Sequence, residues 1–168
     1  MDENTREIKQ EELERKEQIK HTSDEVYKLV SEFLKKYPWT LTWRIRQHSN
    51  VIAKHLNGDE EVYYIFAAQK NSSAFNIFST CLIAFTSKRI LIGQKRVLWG
   101  YNLTSITPDM FNDFEVYKGL IFGRLDIDTV KEVIRLSDID PKALIDIETN
   151  LSEYILKVKP RNEGTAKN

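Results

Sequence analysis

A single cysteine, Cys81, in a chain of 168 residues excludes an intrachain disulfide and any metal site built from several thiolates. It lies in an apolar run and reads as a small buried hydrophobe. A surplus of charge is also missing: 25 Lys and Arg balance 25 Asp and Glu, for a formal net charge of zero. That balance argues against a general electrostatic footprint for nucleic acid or an anionic membrane, although a local patch can still form. No apolar run approaches the ~20 residues of a membrane span, and the polar opening Met-Asp-Glu-Asn has no secretory pattern. The expectation is a protein of a reducing compartment, the cytoplasm, with one core-bearing domain and an appendage.

Residues 1–21 are dense in Glu, Lys, Arg and Gln, with Ile8, Leu13 and Ile19 alone apolar after Met1, and read as a solvated helix or tail. A helical region is expected over 22–58. Thr22 and Glu25 have capping-box spacing, and Val26, Leu29, Val30, Phe33, Leu34 and Tyr37 follow at helical period up to Pro38. This stripe must be buried on its own domain or on another copy. Residues 41–56 favour a second helix closed by Asn57-Gly58, which would put Trp39 and Trp43 on one face.

From 59 to 158 the character is β, then helical. Val62 to Ala68, Cys81 to Phe85 and Ile90 to Ile92 are short apolar runs. Val97, Trp99, Tyr101 and Leu103 alternate as a half-buried strand would. Phe114–Tyr117, Leu120–Asp128 and Val130–Leu136 bring the expected strands to about seven. Asp140 as N-cap, Pro141 and the stripe Leu144, Ile147, Leu151, Tyr154, Ile155 and Val158 predict a C-terminal helix, with 159–168 a polar tail.

The run Ala84-Phe85-Thr86-Ser87-Lys88-Arg89-Ile90-Leu91-Ile92 resembles the strand, Thr-x-x-Arg turn and strand of small bacterial pleckstrin-homology (PH) domains. Leu103-Thr104-Ser105-Ile106 and Lys118-Gly119-Leu120-Ile121-Phe122-Gly123 resemble that family's next strand and its later Gly-rich hairpin, and residues 60–157 look like the YokE-like type. The resemblance implies an α+β fold: a seven-stranded antiparallel barrel or sandwich capped by a C-terminal helix, here preceded by N-terminal helices. Its motifs are structural. They imply hairpin geometry, no catalytic residue and no cofactor.

Catalytic motifs are scarce. Asp126-Ile127-Asp128-Thr129 matches the Asp-x-Asp-x-Thr string of haloacid-dehalogenase-type phosphatases, but no βαβ alternation or later acidic pair accompanies it. Carboxylates on the polar face of a strand are the simpler reading. His21, His48 and His55 have no nearby set of metal-ligating residues. Two binding surfaces are expected instead. Val26, Leu29, Phe33, Tyr37, Phe75 and Phe78 are candidates for contact with a protein partner or a second copy. Lys70, Lys88, Arg89, Lys95 and Arg96 are candidates for a small patch facing an anion or lipid. The expected function is a non-catalytic binding or self-assembly module, with peripheral lipid binding as the alternative.

Overall fold

The computed structural model describes residues 3–71 and 76–158; Phe75 and the tail 159–168 lie outside them. Helix α1 spans Glu3–Lys36 and α2 spans Ile45–His55. Seven strands follow: β1 Val62–Lys70, β2 Thr80–Thr86, β3 Ile90–Lys95, β4 Tyr101–Ile106, β5 Phe111–Lys118, β6 Gly123–Thr129 and β7 Val133–Ile139. Helix α3, Leu144–Val158, comes last. All strand pairs are antiparallel in one open sheet of order β4-β3-β2-β1-β7-β6-β5. Only Gln69 and Lys70 of β1 reach β7, so the sheet turns a corner there.

The continuous apolar runs of β1 and β2 follow from burial on both faces. One face of β1–β3 carries Phe66, Ala68, Cys81, Ile83, Phe85, Ile90 and Ile92, packed with β6 and β7 and with Leu144, Ile147, Leu151 and Tyr154 of α3. The other carries Ile65, Ala67, Leu82, Ala84 and Leu91, covered by Val26 and Val30 of α1 and Ile52 and Ala53 of α2. Gly93 lets α2 approach: a Cβ there would stand 2.7 Å from Ile52 Cδ1. Gly123 plays the same part for Leu144 of α3.

Several expectations are corrected. No helix begins at Thr22, because α1 runs unbroken through it. The upstream Glu, Lys, Arg and Gln are good helix formers, so a cap there has no orphan N–H to satisfy. Trp39 and Trp43 share no helical face, since α2 starts only at Ile45. Val97 and Trp99 belong to the β3–β4 turn and not to a strand, which starts at Tyr101. Leu120 and Ile121 sit in a turn closed by Gly119 N–H donating to Phe122 O at 3.1 Å, and β6 starts at Gly123.

Candidate functional site

The predicted partner stripe is mostly internal. Val26, Phe33 and Tyr37 are buried against the chain's own sheet and α3, while Leu29 is exposed at the helix edge. Tyr37 hydroxyl donates to Asp146 of α3, and Lys36 pairs with the same carboxylate. Of the predicted partner residues among those described, Phe78 alone is well exposed on the sheet side, edge-to-face on Trp43 at 5.2 Å between centroids.

The predicted basic patch is also redistributed. Arg89 is a structural residue: its Nε and Nη2 each donate to the Glu60 carboxylate at 3.0 Å, and Nη2 also donates to His55 O at 2.7 Å. Thr86 Oγ1 donates to Glu60 at 2.6 Å, and the same oxygen accepts from the N–H groups of Lys88 and Arg89. The Thr-x-x-Arg turn thus ties the β2–β3 hairpin to the end of α2. Burial pushes Glu60's pKa up, but Arg89, Thr86 and the Asn57 N–H outweigh it and hold the carboxyl below its ordinary range. Lys88 pairs with Asp59 at 2.7 Å, and Lys70 Nζ donates to Thr104 at 2.9 Å. Lys95 and Arg96 remain together where β3 leaves the sheet.

That place is the site the sequence pattern hid. Between β3 and β4 the chain presents Val97, Leu98 and Trp99 to solvent, Leu98 being 78% and Trp99 76% exposed. Gly100, at φ 78°, closes the turn with Arg96 N–H donating to its carbonyl at 3.2 Å. Phe78, 59% exposed, lines the same groove of about 330 Å³ together with Arg96 and Asn102. The hairpin is held from below by α2. Arg44, in a left-handed conformation at φ 55°, donates to the carbonyl of Val97 at 3.3 Å and stacks over Trp43. His48 Nδ1 accepts from Lys95 N–H at 2.8 Å, which fixes the imidazole as neutral with its proton on Nε2.

Burial depresses the His48 pKa to about 4; the Trp43 carbonyl opposes that shift and Arg44 reinforces it. The unfolded chain takes up a proton near pH 6.5 that the folded chain refuses, so the His48 contribution is intact above pH 6.5. It is lost progressively as the pH falls toward 4. The expected loss at pH 5 is about 2 kcal/mol. Urea midpoints of the natural chain and His48→Gln at pH 7 and pH 5 will check this. The variant should lose less on acidification, and equal losses would refute it.

The tempting catalytic strings do not assemble. Asp126 faces the Arg124 and Arg135 guanidinium groups, with Nε atoms at 3.2 and 3.5 Å, and Asp128 accepts from Asn112. Both alternate with core residues Leu125 and Ile127. Among the described residues no group of three or more His, Cys, Asp or Glu is placed to hold a metal ion. Cys81 is fully buried, and burial raises its thiol pKa to about 12.

A meander β1–β4, a three-stranded β5–β7 unit joined to it through β1, and a C-terminal helix against the inner face define a PH-like fold. The sequence profile described as "Bacterial PH domain" matches residues 56–156, well over half of the chain, and the protein belongs to that family. The narrower YokE-like likeness rests on the sequence motifs alone. A crystal structure of a pleckstrin homology domain from Shewanella amazonensis SB2B is similar at 19% identity and a TM-score of 0.41, covering 60% of this chain and 79% of that one. No curated protein matches. The matched span leaves out α1 and α2. Among the described residues no helix is long and apolar enough to cross a membrane.

Proposed function

We propose that the protein is a non-catalytic binding module of the bacterial cytoplasm that makes protein–protein contacts through the tip of the β3–β4 hairpin. The supporting observation is the exposure of Leu98 and Trp99 on a turn braced by Arg44 and His48. A large aromatic, an adjoining apolar side chain and a nearby arginine on a rigid support have the composition of an interface anchor. A tip held by these contacts would lose little further conformational freedom on meeting a partner.

A second reading has its own observation. Lys95 and Arg96 precede the apolar Val97-Leu98-Trp99 tip, an order that suits an anionic lipid surface. Light scattering over a concentration series, with vesicle sedimentation beside it, separates the two. Contact between copies is expected to raise the mass above one chain, and Leu98→Ser with Trp99→Ser is expected to restore a single-chain mass. Their unfolding free energy should change by only about 0.5 kcal/mol, since both side chains are exposed. A monomer that sediments with phosphatidylserine vesicles and is released by 0.5 M salt (roughly a twofold shorter screening length than at physiological salt) would transfer the site to lipid.

A further inference from the structure

The open sheet ends in two edge strands of different character. β5 has a register slip between Phe111 and Asp113 and carries Asp113, Glu115 and Lys118, devices that keep an edge from pairing with another chain. β4, Tyr-Asn-Leu-Thr-Ser-Ile, has no charge and no proline, and its register with β3 is unbroken. Arg96 N–H donating to Gly100 O makes those two a hydrogen-bonded pair, so the ladder turns the backbone groups of Asn102, Thr104 and Ile106 toward β3. The N–H and C=O groups of Tyr101, Leu103 and Ser105 therefore point away from β3. Among the described residues no backbone hydrogen bond reaches them.

We propose that β4 pairs antiparallel with β4 of a second copy about a two-fold axis at Leu103, which carries the sheet from one molecule into the next. This rests on the hairpin tip being a protein-contact surface. In that register Leu103 faces Leu103 and Tyr101 faces Ser105, and each pair exchanges both backbone hydrogen bonds. Asn102 faces Thr104, so no like charges are set opposite one another. The pairing also gives the tip a place to go. Continued past Gly100, it sets Trp99 and Leu98 beside Thr107 and Pro108 of the second copy, where Ile106, Pro108 and Phe111 line a small apolar gap. Arg96 of one copy and Asp109 of the other, both exposed and opposite in charge, come to the same end of the interface. A two-fold contact closes on itself, so the product is a dimer.

The test uses the full natural chain from roughly 10 µM to 1 mM, with light scattering for mass and NMR for amide hydrogen exchange. The mass is expected to rise to that of two chains. Exchange at the Leu103 amide should slow about tenfold or more over the series, while the Thr104 amide, bonded within its own sheet, stays protected throughout. Asn102→Lys sets two ammonium groups diagonally across the axis and should raise the dimer Kd about two- to fivefold. Mixing it with Asn102→Glu should recover the natural affinity. A single-chain mass at every concentration, or a dimer whose Leu103 exchange does not change, overturns the proposal. If Leu98→Ser with Trp99→Ser abolishes a dimer of the latter kind, the tip contact stands without strand pairing. Leu103 protection that survives that double variant supports strand pairing and removes the tip from the interface.

Discussion

Arg89→Ala will lower the unfolding free energy by roughly 3–5 kcal/mol, because it strips a buried carboxylate of its ion-pair partner. The Glu60 side chain is 0% exposed, and Arg89 is its only ion-pair partner among the described residues. Removing the guanidinium leaves a carboxylate sealed in the protein with only Thr86 and the Asn57 N–H beside it. It also frees His55 O, which Arg89 caps at the end of α2. The pH dependence gives a second check. In the natural chain Glu60's folded pKa is depressed, so its stabilisation is present above the ordinary carboxylate range and is lost as the pH falls through it. In the variant burial dominates, the folded pKa rises, and the penalty applies above that range. The difference between the two proteins must therefore be largest at neutral pH and shrink toward pH 4. Chemical denaturation at several pH values measures it, and a deficit independent of pH would refute the account. Arg89→Lys should recover part of the loss, because an ammonium keeps the charge without the fork.

Deleting residues 1–58 should abolish a soluble folded monomer. Ile65, Ala67, Leu82, Ala84 and Leu91 would lose the cover of α1 and α2. Burying a Val or Ile side chain contributes about 1.5–3 kcal/mol, and Val26, Val30 and Ile52 together approach the whole stability of an ordinary domain. The point version is Ile52→Ala, expected to cost about 2–5 kcal/mol because α2 cannot collapse onto Gly93 without moving. A chain of residues 59–168 that remained monomeric with an unchanged melting temperature would show that the two helices are appended to the fold without supporting it. The family profile begins at residue 56, so the sheet face at issue is one that this chain covers with segments outside the match.

The parts of the fold that were legible in the sequence are those set by local chemistry. The Thr86-Ser87-Lys88-Arg89 turn, the apolar runs on either side of it and the stripe of α3 could be read directly. Thr129 repeats the Thr86 arrangement, its Oγ1 accepting from the N–H groups of Lys131 and Glu132, and that spacing was the available signal that β7 starts at Val133. Trp99-Gly100 was a comparable turn signal. It was masked by the alternation of Val97, Trp99, Tyr101 and Leu103, since a period of two appears in any extended or turning segment that has bulky residues at every second place.

By itself the sequence determined that the chain has an antiparallel β domain with a C-terminal helix, because strand runs, turn residues and an amphipathic period act over a few neighbouring residues. Only the tertiary structure decided what each interacting side chain meets. Whether Val26 and Phe33 face a partner or their own sheet, whether Arg89 faces an anion or Glu60, and whether Trp99 is inside or outside depend on groups tens of residues away. An apolar or charged residue has the same local pattern in both cases. Burial is a property of the assembled layers, and the corner at β1 together with the seating of α2 over Gly93 settles it.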